Sequence, residues 1–487
     1  MKRYDLIVIG AGPGGEKAAV EAAYFGHKVA LVERQPVVGG AMINTGTLPS
    51  KTLRETSLFI DEFKHRNLYG IKLSMEENIT VKKFMYREKE VIRTEHKLVM
   101  DNLIYHNIDL IQAHGYIEDA HTVRLEKLDG QTDRIMADFI CIATGSHPLR
   151  PEGINFDSEH IYDSDSILKL DKLPKSLGIL GAGVIGCEYA SIFSLLGIEI
   201  HLVDRRPTLL PFIDGEIIAR LQKHMKETGV NFHLGTEYTG LEVSGSGKVT
   251  IQLVGGDTLA VDKVLFAGGR VGTSQKLGLE ALGIEADQRC HIKVNGCYQT
   301  SVPNIYAIGD VIGFPALAST AMEQGRIAVC HAFNHTYKKQ LTSIIPYGIY
   351  TVPEISMVGL TEEEAKKHGI DYEVGRFDYV HNARGLIIGD TSGLIKLIFA
   401  ASEQTLPGSV NIPGLKKQPD GTKHLVTQQL LGVHIIGELA TELVHIGMGC
   451  LYYHGTIDYF IQSVFNFPTL AEAFKYAAYD GLSKRKK

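Results

Sequence analysis

A basic excess is missing from this sequence: 50 Lys and Arg stand against 56 Asp and Glu, a formal charge of −6. That excludes the electrostatic footprint a nucleic-acid binder needs. The only concentrated positive charge is the tail Lys484, Arg485, Lys486 and Lys487, which reads as a solvated end. Long apolar runs are missing too. No stretch of 18 residues is free of Asp, Glu, Lys and Arg, which argues against a membrane-spanning helix. After the positive Met1–Arg3 and the apolar Leu6–Ile9, glycines and Glu16 interrupt any signal-peptide core, so the expectation is a cytoplasmic protein. The six cysteines, at 141, 187, 290, 297, 330 and 450, include no close redox or zinc pair and read as buried thiols. Tryptophan is absent, which excludes no chemistry. At roughly 150 residues per domain, 487 residues suggest two to four domains with real cores.

What is plentiful is glycine, 51 residues, near one in ten against an average of about 7%. Its clustering reveals an internal repeat. Within residues 4–34 and 177–205 an ungapped offset of 171 places Gly10, Gly12, Gly15, Gly26 and Glu33 on Gly181, Gly183, Gly186, Gly197 and Asp204. Each copy reads as a strand, a GxGxxG turn, a helix and a second strand ending in an acid, which is a βαβ unit. The first glycine makes the tight turn, the second admits a pyrophosphate and the third lets helix and strand pack. The helix N-terminus offers free N–H groups and partial positive charge to the phosphates. Glu33 and Asp204 stand where a carboxylate accepts hydrogen bonds from a ribose diol. A single GxGxxG is weak, but two copies in full context predict two bound dinucleotides.

Three further segments identify the pair: DFICIATGSHP (138–148), VDKVLFAGGR (261–270) and NIYAIGD (304–310). With them the chain resembles the flavoprotein disulfide reductase family along its whole length. The resemblance implies an α/β fold with two Rossmann-like dinucleotide-binding domains, for FAD and NAD(P), plus a C-terminal α+β dimerisation domain. It places the FAD domain at 1–150 and 270–345, the NAD(P) domain at 151–269 and the dimer interface domain at 346–487. It also implies a homodimer. By the same resemblance FAD contacts fall on Gly10, Gly12, Gly14, Gly15, Glu33, Arg34, Gly39, Gly40, Met42, Thr47, Lys51, Gly115, Thr144, Gly145, Gly309, Asp310, Ala316, Leu317 and Ala318. Nicotinamide nucleotide contacts fall on Gly181, Gly183, Ile185, Gly186, Glu188, Asp204, Arg205, Arg206, Gly269 and Arg270.

The chain departs from the family where thiols act. Disulfide-reducing members carry GGxCxxxGCxPSK, whereas Met42 and Thr47 occupy both cysteine positions here. Neither side chain forms a thiolate or a disulfide. Their C-terminal HPTxxE is replaced by Phe467-Pro468-Thr469-Leu470-Ala471-Glu472, and Phe transfers no proton. Electrons then enter and leave through the flavin alone. The pattern is similar to the transhydrogenase branch of the family, with GAGVIGCEYASIF (181–193), IYDSDSIL (161–168), GIYTVPEIS (348–356) and FNFPTLAEA (465–473) among the matching segments. That branch keeps Thr at the second cysteine position and the cysteine at the first, so Met42 is a departure. NAD and NADP are then both substrates, sharing one site against the flavin. A rival reading keeps the same cofactors and passes electrons to oxygen or a quinone; another is a flavin-holding sensor without turnover.

By resemblance Lys51 lies near flavin N5 and pairs with Glu188, offsetting negative charge there. The plain alternatives are a solvated lysine on the first turn after Pro49 and a glutamate supporting a helix dipole. Asp204 favours the free ribose diol, while Arg205 and Arg206 suit a 2′-phosphate or simply cap a turn before Pro207. Beyond residue 346 the pattern predicts strands at 348–352, 394–399 and 430–436 and helices at 362–368 and 438–453. Residues 403–424 hold three prolines, three glycines and three lysines and read as an inserted exposed loop. Tyr452, Tyr453 and His454 read as core or dimer packing.

Overall fold

The computed structural model describes residues 1–65, 81–157 and 159–484; Arg485, Lys486 and Lys487 of the basic tail lie outside the described residues. The chain divides into two compact units, one of Met1–Phe59, Phe63–Leu173 and Lys263–Leu341, the other of Ile60–Glu62, Pro174–Asp262 and Thr342–Lys487. The first unit therefore takes in 151–173 and 263–269, where the strands Ile161–Asp163 and Lys263–Phe266 pair in parallel.

The first unit is built on a six-stranded sheet. Its first strand, Lys2–Ile9, lies parallel to Val29–Glu33 on one side and Thr132–Ile142 on the other, with Ile305–Ala307 parallel beyond. Alternation explains why Leu6–Ile9 is apolar at every position. Leu6 and Val8 enter one hydrophobic cluster, whereas Ile7 and Ile9 enter another on the opposite face, as in a sheet covered on both sides. The helices Pro13–Tyr24 and Ala318–Ala332 pack on each other, and glycines set their separation. A Cβ on Gly325 would lie 2.6 Å from the carbonyl oxygen of Gly14, and one on Gly14 would lie 3.1 Å from that of Ala321.

In the second unit the strands Ser176–Leu180, Glu199–Asp204 and Val230–Leu234 are parallel, with the helix Val184–Leu195 after the first. The C-terminal part is a five-stranded antiparallel sheet, in the order Tyr347–Ile349, Ile355–Gly359, Leu430–Ile436, Leu394–Ala400, Tyr372–Asp378. Strands 394–400 and 430–436 are buried at every residue. One face, through Ile395, Leu397, Val433 and Ile435, joins a cluster with the helices Ala440–Tyr452 and Ala473–Ser483.

Four expectations need correction. Residues 403–424 are not a free loop: Gln404–Pro407 and Thr422–Leu425 pair as an antiparallel hairpin, and Leu406, Val410, Ile412 and Leu425 are buried in an apolar cluster. The excursion has a small core because its apolar residues reach back onto the sheet's other face, through Ile398 and Ala400. Of the two readings for Tyr452 and Tyr453, core packing is overturned, since they are 59% and 82% exposed at the end of the 440–452 helix, and dimer packing is the one that is left. Of the thiols, Cys290 and Cys297 are only half-buried, since both lie in turn-rich segments outside regular elements. Finally, the strand expected over 348–352 is Tyr347–Ile349, because Pro353 and the residue before it leave the ladder.

Candidate functional site

The repeat survives as geometry. Gly10 donates to the carbonyl of Val32 and Gly181 to that of Val203, both at 2.8 Å. Both glycines hold positive φ, +107° and +114°, which side chains rarely tolerate. The third glycines are tighter still: a Cβ on Gly15 would lie 1.9 Å from the Gly10 carbonyl oxygen, and one on Gly186 1.8 Å from that of Gly181. Glu33 accepts from Ala11 N (2.8 Å) and Gln35 N (2.8 Å), and Asp204 accepts from Ala182 N (2.6 Å) and Arg206 N (2.8 Å). The two acids thus hold equivalent backbone partners 171 residues apart. Each is buried and oriented at the end of its strand.

These turns fit a dinucleotide on two observations. Gly12 and Gly183 are extended N-caps with no side-chain capping bond, so the first-turn N–H groups of both 12-residue helices have no local acceptor. A Cβ on Gly183 would meet nothing within 4 Å, leaving open space where a diphosphate would approach those donors.

Around the first turn, Gly39 donates to Ala11 O at 2.7 Å. A Cβ on Gly40 would stand 2.8 Å from the Gly12 Cα, so the two turns lie back to back. Asn44 holds this second turn by donating to Val38 O and Gly40 O. Met42, in the short helix Gly40–Asn44, packs against the unit's core. Thr47 is exposed and begins the helix Thr47–His65, so Lys51 lies in its second turn and not the first. The Lys51 ammonium donates to Ser50 Oγ at 3.3 Å.

The ATG segment closes over the same place. The first glycine abuts Ala143, whose carbonyl oxygen would lie 2.4 Å from a Gly10 Cβ. Thr144 Oγ1 donates to Thr273 O at 2.6 Å, and Thr273 N donates to Gly145 O. Gly309 donates to the buried Gln324, and Asp310 accepts from Ser146 Oγ at 2.7 Å. Arg270 reaches the same serine through Nε (2.8 Å) and pairs with Asp165 (2.9 Å). Leu317 caps the Ala318–Ala332 helix with extended backbone and no side-chain bond, with the exposed Ala316 before it. Ser146, Gln324 and Thr273 were missed from sequence; only Ser146, next to Gly145, carried a positional signal. Gly14 and Gly115 serve packing in this chain, the former against Ala321 and the latter 3.2 Å from Ile9 for a virtual Cβ. Arg34 is exposed beside Glu33.

In the second unit Ile185 is half-buried on the helix that follows Gly183. Glu188 is buried and accepts from Tyr350 N at 2.9 Å, a bond across 162 residues that no spacing revealed. Gly269, which lies in the first unit with Leu149, has φ +102°, and its carbonyl accepts from Leu149 N. Arg206 is not free: it grips Asp204 through Nε (2.9 Å) and Nη2 (2.6 Å). Burial pushes the Asp204 carboxyl up, but Arg206 and the backbone N–H groups outweigh it and hold it below the usual range. Arg205 is exposed. Burial pushes the thiols of Cys141 and Cys450 up to about 12 and keeps them protonated. Among the described residues no cluster suits a metal ion, and no helix is long and apolar enough to cross a membrane.

A family model described as pyridine nucleotide-disulphide oxidoreductase matches residues 4–325, and its dimerisation domain matches 345–412 and 423–478. A protein named soluble pyridine nucleotide transhydrogenase from Mycobacterium tuberculosis is 42% identical over 485 residues, covering 99% of this chain and 98% of its own. One of the same name from Colwellia psychrerythraea is 40% identical over 484 residues, with the same coverage. Among solved structures, the Cu(II) complex of the HOCl-induced flavoprotein disulfide reductase RclA from Escherichia coli superposes with TM-score 0.84 at 25% identity, covering 98% of this chain and 99% of that one. LpdA from Mycobacterium tuberculosis superposes at 0.86 with 24% identity over the same shares, a likeness of fold.

Proposed function

Since the chain belongs to the pyridine nucleotide-disulphide oxidoreductase family, we propose that it is an FAD-dependent pyridine nucleotide transhydrogenase. It exchanges a hydride between NADPH and NAD⁺, or NADH and NADP⁺, through the flavin and without a redox disulfide. The observation that carries this reading is the pair of matched, uncapped nucleotide turns in a chain where Met42, Thr47 and Phe467 stand at the family's thiol and histidine positions. Relatives named as transhydrogenases, aligned over nearly the whole chain, support it.

Bound FAD supplies the two-electron chemistry, and the protein supplies position and charge. The Gly10 to Gly15 turn presents the N–H groups of its helix to the FAD diphosphate, with Glu33 on the adjoining ribose. Asp310, oriented by Ser146, takes the flavin's ribityl side. Lys51 stands beside the flavin, and Met42 fills space where a thiol would otherwise sit. The second turn takes either nicotinamide nucleotide: Asp204 serves a free diol, and Arg205 with Arg206 serves a 2′-phosphate. In this reading residues 1–150 and 270–345 form the FAD domain, 151–269 the NAD(P) domain and 346–487 the dimer interface domain, with 403–424 inserted. The protein acts in the cytoplasm as a homodimer.

Anaerobic stopped-flow mixing tests the assignment. NADPH should bleach the flavin's visible band, and NAD⁺ added next should restore it within turnover time. Restoration only by a quinone or oxygen would make the protein a reductase or oxidase; no bleaching would leave a sensor.

A further inference from the structure

The family resemblance puts Arg270 among the nicotinamide nucleotide contacts, but the structure commits its guanidinium elsewhere. The short strands Ser146–Pro148 and Arg270–Gly272 pair antiparallel, with Ser146 opposite Gly272. Period two puts Arg270 on the same face as Gly272 and diagonal to Ser146, within reach of a long side chain. Its Nε donates to Ser146 Oγ at 2.8 Å and its Nη2 to Ser146 O at 2.9 Å. Its Nη1 donates to Asp165 Oδ1 at 2.9 Å and to Ser164 Oγ at 3.4 Å. Every nitrogen of the guanidinium is thus engaged within the first unit, and a nucleotide phosphate would have to displace one of these partners.

Ser146 in turn donates to Asp310 Oδ2 at 2.7 Å. Chemistry fixes the direction of that bond. An arginine N–H can only donate, so Arg270 occupies a lone pair of the Ser146 hydroxyl and turns its one proton toward Asp310. Among the described residues Oδ1 of Asp310 accepts no hydrogen bond. The main chain is held separately, since Gly309 N, one residue earlier, donates to the buried Gln324 at 2.7 Å. The side chains of Arg270 and Asp165 are mostly withdrawn from water, at 20% and 28% exposed. The line therefore runs acid, hydroxyl, guanidinium, acid, with one cation between two anions, an arrangement in which each bond strengthens the next.

We propose that Arg270 is a positioning residue of the FAD site: through Ser146 it fixes the Asp310 carboxylate, leaving Oδ1 to accept from a hydroxyl of the flavin's ribityl chain. The inference rests on the reading of Asp310 as the ribityl contact, and it moves Arg270 from the nicotinamide nucleotide to the flavin. Asp165 balances the guanidinium and holds its far end. Without Arg270 the Ser146 hydroxyl rotates freely, and Asp310 loses the bond that orients it before the flavin arrives.

Release of FAD from the full-length holoenzyme, followed by the rise of flavin fluorescence on dilution, tests this. Ser146→Ala and Arg270→Met should each speed release about tenfold, the effect of losing one hydrogen bond to a charged group. The double variant should speed it about tenfold and no more, because both changes break the same line. Ser146→Thr, which keeps the hydroxyl, should release FAD at the wild-type rate. NADPH and NADH affinities, titrated with FAD saturating, should stay unchanged in Arg270→Met. If Arg270→Met fails to fold, Arg270→Lys carries the test: an ammonium lacks the fork that grips both oxygens of Ser146, so release should still quicken and Ser146→Ala should add nothing to it. Additive effects in the double variant would overturn the relay, as would a loss of nucleotide affinity with FAD release unchanged. FAD released at one rate by wild type and all variants overturns this inference alone; a wild-type chain that holds no FAD overturns the transhydrogenase reading and this inference with it.

Discussion

At the scale of single residues, two carbonyl oxygens decide which residue follows each nucleotide turn. Gly186→Ala would drive a methyl to 1.8 Å from the Gly181 oxygen, forcing the helix off the strand. The expected cost is about 1–3 kcal/mol, visible as a lower unfolding midpoint, with NAD(P)H affinity falling while FAD is retained. Arg206→Ala removes the bidentate grip on Asp204 and leaves an unneutralised carboxylate beside any 2′-phosphate. NADPH should weaken about tenfold relative to NADH, the size of one charge-assisted hydrogen bond; titrations of the two nucleotides that weaken equally would refute a discriminating role. Lys51→Ala should keep its FAD and slow flavin reduction in single-turnover mixing, and unchanged kinetics would remove Lys51 from the chemistry. Residue identity was readable for the glycines and acids because each answers a backbone requirement at fixed spacing. The Asp204–Arg206 grip was not readable, since an arginine's partner depends on its rotamer and not on its place in the chain.

Among the elements, the sheet of the second unit carries a buried charge network. Lys396, 1% exposed on strand 394–400, pairs with Asp214 (2.8 Å), Glu216 (3.1 Å) and Glu362 (2.7 Å). Arg376 reaches Glu216 and Glu362 from the neighbouring strand. His434 stands opposite Lys396 in the ladder and accepts no second partner at Nδ1. Burial raises the Glu362 carboxyl, but Lys396 and its other partners outweigh that and hold it at about 2, against 4.5 unperturbed. A carboxyl depressed on folding contributes stability above its unfolded value, lost as pH falls from about 4.5 toward 2. His434 adds in the same direction: burial lowers it, so the unfolded chain takes up its proton first below its ordinary value. Urea unfolding should therefore weaken steadily on acidification. Lys396→Met should cost about 3–5 kcal/mol at neutral pH by leaving the acids unpaired and should flatten that acid dependence. A smaller device works nearby. Thr361 and Glu364 form a reciprocal cap at the start of the helix Glu362–Lys367 (3.1 and 2.9 Å), and Thr361→Ala should cost about 1 kcal/mol in thermal unfolding. The pattern predicts a helix at 362–368, seen as Glu362–Lys367, but not the network, whose members lie up to 182 residues apart.

For the whole molecule, the dimerisation domain exposes Val464 (95%), Tyr453 (82%) and Phe467 (72%), apolar surface that a second copy would remove from water. Val464→Lys with Tyr453→Lys should shift sedimentation from dimer toward monomer; an unchanged mass would place the interface elsewhere. The duplicated strand–turn–helix units, the glycines and acids at their tips, the loss of the thiol pair and the α/β class were all legible in the order of residues alone. These follow from local backbone geometry and from a periodicity that repeats at a fixed offset. It took the folded chain to show that Arg206 holds Asp204, that Glu188 meets Tyr350, that residues 403–424 fold as a hairpin over their own small core, and that Tyr453 faces outward. Each of those outcomes depends on which distant segments share a surface, and burial and pairing free energies are properties of that shared surface, not of neighbouring letters.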